Sequence, residues 1–191
     1  MRVKEASYAW EDYCADLLAF VRRRLALYRR FAIEASPESG ALRVRGTVVY
    51  VEDLDQLEEA DFSEAEMAAY EQAAAALERE AQAMRLRAAS AGDSIALERL
   101  AERLALTPFE RLALWLALAA ELDGRFERVF MFLQDDFNLK RPTLDFCLRC
   151  FSLRQQERLE ILRQLLRRAG VLDLLFGVPD RDCLLYTSRC V

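Results

Sequence analysis

Apolar residues recur three or four positions apart along most of this chain, which is the spacing of one face of an α-helix. The first such stripe predicts a helix over residues 7–34. Five arginines of this segment fall largely outside the stripe, which favours a solvated face over a phosphate-binding patch. The stripe consists of Trp10, Cys14, Leu17, Val21, Leu25, Tyr28 and Phe31, and the arginines are Arg22, Arg23, Arg24, Arg29 and Arg30.

A different pattern follows between residues 36 and 92. Residues 47–51 are β-branched and aromatic, which predicts a short strand. Ser63 and Glu66 have the spacing of a capping box, in which each side chain bonds the other residue's backbone amide, so a long helix should run to about residue 89. Its narrow stripe suits a close helical neighbour. That stripe is Met67, Tyr70, Ala74, Leu77, Ala81 and Met84.

Helix signals become dense after Gly92, where we predict a domain boundary. Thr107 and Pro108 have the residue types of an N-cap and a first helical position, which predicts a helix from Pro108 to Ala120 with Trp115 at the buried centre. The chain therefore reads as a mainly α protein, with a helical segment at 1–92 and a helical domain at 93–182. Four further helices are predicted, with starts at Asp93 or Ser94, at Arg125, after Thr143 and at a second capping box, Ser152–Gln155. The last of these helices should end at Gly170.

Composition narrows the possible chemistry. The chain has no histidine, and its 27 basic and 32 acidic residues give a net charge of -5, which argues against broad nucleic-acid binding. Without histidine the usual catalytic triads are excluded, and no glycine-rich phosphate-binding or nucleophile motif occurs. We therefore predict no enzyme activity, no cofactor and no metal for this chain. The sequence shows neither a signal peptide nor a membrane-length apolar run, so we expect a cytoplasmic protein.

Two short motifs remain open to a functional interpretation. Cys147 and Cys150 have metal-ligand spacing, but too few further ligands are available, and buried thiols that pack like small apolar residues are the favoured interpretation. Asp135 and Asp136 resemble an acid pair, although bonding to local backbone donors is the simpler role. Neither pair is predicted to form an active site.

The last nine residues, 183–191, resemble translated sequencing adapter rather than protein. This interpretation removes any meaning from Cys183 and Cys190. It also implies that the natural reading frame continues beyond Asp182.

Residues from Leu104 to Asp145 resemble the winged-helix-like domain that precedes the ATPase module in certain bacterial AAA-type ATPases, some of them associated with contractile injection systems. The resemblance covers 94–148 well and the first ninety residues loosely. Its main departure is the absence of the wing strands and of every ATPase motif. The motifs are Leu104–Arg111, Leu118–Asp123, Phe126–Arg128, Leu133–Asp136, Lys140–Asp145 and, upstream, Arg45–Val51.

The resemblance implies a non-catalytic N-terminal fragment that engages a protein partner or remodelling substrate and positions an ATPase module in cis. ATP and Mg would belong to that module and not to this chain. The alternative is a DNA-binding winged-helix regulator, in which the helix after Thr143 would be the recognition helix. Under that alternative, Arg141, Thr143 and Arg149 are the expected nucleic-acid contacts.

Overall fold

The structure, a computed structural model, describes residues 8–33, 62–91, 95–168, 170–171 and 175. Within these ranges the chain is mainly α, as the periodicity predicts, and contains no strand. The predicted strand at 47–51 and the tail at 183–191 lie outside the described residues. The helices are α1 (Trp10–Tyr28, continued by a π-helical turn at Arg29–Ile33), α2 (Glu64–Ser90), α3 (Ala96–Arg103), α4 (Pro108–Leu122), α5 (Arg125–Leu133), α6 (Leu144–Phe151) and α7 (Gln155–Leu166).

Two of the predicted helix starts are confirmed in atomic detail. The Ser63 hydroxyl accepts a hydrogen bond from the Glu66 amide, and the Glu66 carboxylate accepts one from the Ser63 amide at 3.0 Å. Thr107 and Glu110 form the same reciprocal pair at the start of α4. Each pair satisfies two backbone donors that would otherwise lack a partner in the first turn.

Two other predicted caps are wrong. The N-cap of α3 is Ile95, which makes no side-chain cap bond, rather than Asp93 or Ser94. At α7 the helix begins at Gln155, so Ser152 lies too far upstream to act as its N-cap. The Ser152 hydroxyl instead accepts from the Arg154 amide at 3.0 Å and donates to the Glu157 carboxylate, which fixes the bend between α6 and α7.

Helices from both sides of residue 92 contribute to one buried core. Helix α1 packs against α2, α4 and α6, and α4 also packs against α5 and α6. Edge-to-face ring contacts join these helices, including Phe20 with Trp115 at 5.1 Å and Tyr28 with Phe146 at 5.4 Å between ring centroids. The predicted burial of Trp115 is confirmed, with 2% of its surface exposed. The division of the chain at residue 92 stays a prediction about domain organisation.

Two residues of α1 depart from their predicted positions. Arg24, predicted on a solvated face, is buried, whereas Trp10, predicted in the apolar stripe, is exposed. Helix α7 carries four leucines, at positions 159, 162, 165 and 166, and only Leu165 is buried. This helix packs chiefly on α6 at the edge of the bundle, so one side of it has no helix to cover it among the described residues.

Candidate functional site

The connection between α5 and α6 is organised by one side chain, Gln134. Its Nε2 atom donates to the backbone oxygens of Leu139 at 3.1 Å and Arg141 at 2.9 Å, and also to that of Phe130 at 3.3 Å. Its Oε1 atom accepts from the amide of Thr143 at 2.9 Å and from its hydroxyl at 2.8 Å. A single amide therefore holds both ends of the connection and presents its middle, including Phe137, to solvent.

The two aspartates that follow Gln134 form the turn that ends α5. Asp135 adopts a left-handed conformation, φ 52°, and the Asp136 amide donates to the Met131 oxygen at 3.1 Å, which closes α5 in a Schellman turn. The Asp136 carboxylate accepts from the Asn138 amide at 2.8 Å. The local bonding role predicted for Asp136 is confirmed.

Thr143 begins α6, the expected recognition helix under the DNA-binding alternative. Its Oγ1 atom accepts from the Phe146 amide at 3.2 Å, so this hydroxyl serves as an N-cap. The helix then buries most of its surface, leaving Asp145 and Arg149 exposed. Its buried residues are Phe146, Cys147, Leu148 and Cys150.

Both arginines expected at a nucleic-acid interface are paired with carboxylates. Arg149 forms an ion pair with Asp145, one turn earlier on α6. Arg141 lies 2.8 Å from a carboxylate oxygen of Glu121 and 3.5 Å from one of Glu127. Although all three predicted contact residues lie near α6, the surface they share is mixed in charge, and a mixed surface gains little from releasing the counterions of a phosphate backbone.

Arg24 of α1 caps the other end of α6. Its Nε atom donates to the Cys150 oxygen at 2.8 Å, and its Nη2 atom donates to the Phe151 oxygen. The Tyr70 hydroxyl of α2 also donates to the Phe151 oxygen, at 3.1 Å. A cation at a helix C-terminus satisfies open carbonyls and complements the helix dipole. The sequence gives no signal for this contact, because the cap and the helix are 126 positions apart.

A second buried polar cluster joins α1, α3 and α4. The Tyr13 hydroxyl donates to Glu98 at 2.6 Å and accepts from Trp115 Nε1 at 3.0 Å, and Arg111 forms an ion pair with Glu98. Burial, followed by the hydrogen bond to Glu98, raises the pKa of Tyr13. Every polar group in the cluster has a partner, so it stabilises the core and leaves no side chain free for chemistry.

A groove of about 390 Å³ lies between the first turn of α4 and helix α7. Phe109, Phe151, Ile161 and Leu165 form its apolar walls. Arg168 on its rim pairs with the buried Glu110 and donates to the Leu104 oxygen at 2.7 Å. Arg168 is therefore committed to the fold and is not available to orient a small-molecule substrate.

The cysteine pair of α6 consists of free, buried thiols. Burial raises the pKa of Cys150 to about 12 and that of Cys147 well above its usual value, so neither thiol ionises readily. Within the described ranges, no three cysteine or carboxylate side chains cluster closely enough to hold a metal ion. The described helices also include none with the length and apolar character needed to cross a membrane.

The sequence from residue 9 to residue 175 matches the family described as "Winged helix domain, variant". This match covers helices α1 to α7 of the described ranges, including the two before residue 92. No curated protein and no solved structure matches the chain.

Proposed function

Because the chain belongs to the variant winged-helix family, we propose that it is a non-catalytic binding module that engages a protein partner in the cytoplasm. Winged-helix domains fit a role in nucleic-acid or protein binding, and the charge arrangement around α6 favours protein. Arg149 pairs with Asp145, and Arg141 pairs with Glu121 and Glu127. A surface that reads DNA needs cations that are free to contact phosphates and base edges. The pairing of Arg141 and Arg149 with carboxylates is the observation that carries the proposal.

The burial of α6 supports the same conclusion. A recognition helix inserts an exposed, polar face into the major groove. Helix α6 instead packs against α1, α4 and α7, and its apolar residues are committed to the core. The alternative of a DNA-binding regulator therefore has the weaker physical basis.

We further propose that the module precedes an AAA-type ATPase and positions it for work on a protein substrate. The support is the sequence resemblance over residues 104–145. Residues within the matching motifs have structural roles here: Thr107, where that family has serine, and Glu110 cap α4, while Gln134 and Thr143 fix the entry to α6. Such residues define the fold of a module and carry no catalytic step, so in this proposal hydrolysis belongs to the following module.

The uninterrupted gene tests the ATPase proposal. Reading downstream of codon 182 should show a glycine-rich loop ending in Lys-Ser or Lys-Thr, which cradles nucleotide phosphates. The chain itself should give no binding heat with ATP and Mg²⁺, because it lacks that loop. A downstream frame without such a loop, or micromolar ATP binding by this chain, would contradict the proposal.

A further inference from the structure

Helix α7 carries an apolar stripe that nothing covers among the described residues. Leu159 and Leu166 expose 58% and 51% of their surfaces, and Leu162 between them is partly exposed. The three lie within roughly 60° of one another around the helix, since each residue advances by about 100°. A soluble protein rarely leaves a leucine stripe open unless it forms an interface.

The charged residues beside this stripe are placed so that opposite charges would meet if two copies of the helix packed in antiparallel orientation. One flank carries Gln156, Glu160, Arg163 and Arg167 in sequence. Glu160 and Arg163 are adjacent there, joined by hydrogen bonds of 2.8 Å. A two-fold axis between them would bring Glu160 of each copy opposite Arg163 of the other, and Gln156 opposite Arg167.

The leucine spacing fits the same axis. Leu162 of the two copies would meet near the axis, and each Leu159 would pack between Leu162 and Leu166 of the other copy, as knobs pack into holes. A parallel two-fold pair would instead place this flank of the two copies on opposite sides of the interface, where Glu160 and Arg163 of different copies do not meet. The self-complementary order therefore favours a second copy of this chain, in antiparallel orientation.

We propose that the chain forms a two-fold symmetric dimer through the α7 stripe, defined as Leu159, Leu162 and Leu166 with its charged flank. One pair of short helices buries less than the ~1,200 Å² typical of stable complexes. The dimer is accordingly weak, with a dissociation constant between about 10 μM and 1 mM. This inference concerns self-association and does not depend on the proposed function.

Sedimentation equilibrium of the full chain under reducing conditions, from about 10 μM to about 1 mM, tests this interface. The wild type should shift from monomer to dimer, and Leu159→Glu should weaken association at least tenfold. Leu86→Glu on α2 is the matched control, because Leu86 is also exposed, at 62%, but lies away from α7. This control should dimerise like the wild type.

Charge reversal tests the orientation without altering the leucines. Glu160→Arg and Arg163→Glu should each weaken association, because like charges then face each other, and the double variant should restore it. Thermal melts confirm that each variant folds. A wild type that stays monomeric throughout, a dimer that survives Leu159→Glu, or a double variant no better than the single ones would overturn the proposal.

Discussion

Among the described residues, Ala105 is one of two non-glycine residues with a left-handed backbone, and its side chain cannot bond the local backbone as that of Asp135 could. Ala105 has φ 47°, in the left-handed region that disfavours a Cβ atom. The conformation is held by the Schellman turn that ends α3, where the Leu106 amide donates to the Ala101 oxygen and the Ala105 amide to the Glu102 oxygen, both at 2.9 Å. Glycine is the residue that this position normally favours.

We expect Ala105→Gly to raise the free energy of unfolding by about 1 kcal/mol, because removing Cβ relieves the left-handed conformation. Ala89→Gly is the matched control. Ala89 is exposed within α2, so glycine there should lower stability by about 1 kcal/mol. Urea unfolding followed by circular dichroism measures both changes. Equal losses at the two positions would show that the turn after α3 is not left-handed.

The element most dependent on one side chain is the connection from α5 to α6. Gln134 donates to three backbone oxygens and accepts from both donors of Thr143. The sequence predicts the two helices that flank this connection, since their caps and stripes are local signals. It cannot predict the bonds of Gln134, because glutamine has no positional preference comparable to that of a capping threonine.

We expect Gln134→Glu to lower the free energy of unfolding by about 1–3 kcal/mol, because a carboxylate cannot donate to the three oxygens that Gln134 satisfies. Gln72→Glu, at an exposed position of α2, serves as the control and should change stability by no more than about 0.5 kcal/mol. Thermal unfolding at neutral pH compares the two. Equal, small effects would argue that Gln134 does not hold the connection.

At the scale of the whole molecule, contacts distant in sequence decide what the periodic pattern leaves open. The helices themselves were largely predictable, since apolar spacing and capping residues act within a few positions. Tyr13, Glu98 and Trp115 meet across 85 and 102 positions, and no local rule brings them together. The burial of Arg24 has the same cause. Its neighbours in sequence are solvated arginines, but Arg24 is buried because it binds the last carbonyl oxygens of α6.

The buried cysteine and tyrosine side chains of this core should make the protein less stable at alkaline pH. Burial raises the pKa of Cys150 from 9.0 to about 12, and that of Tyr28 from 10.0 to about 12. In the unfolded chain these groups ionise first, so their contribution to stability is complete below pH 9 and is lost as the pH rises towards 12. Each ionising group adds a slope of up to about 1.4 kcal/mol per pH unit.

Urea unfolding between about pH 8 and pH 11 measures this slope, because the unfolded cysteine and tyrosine ionise in that range. Tyr13→Phe should reduce the slope only above about pH 10, where the unfolded tyrosine ionises. A stability that stays constant, or that rises with pH, would show that these groups are not buried as described.

A titration of labelled duplex DNA with this chain at ~150 mM salt, near the physiological value, tests directly whether α6 reads DNA. We expect weak binding without sequence preference, unchanged by Arg149→Ala, because Arg149 is already paired with Asp145. Tight, sequence-selective binding that falls sharply in Arg149→Ala and in Arg141→Ala would contradict the proposed protein-binding role and would make α6 a recognition helix.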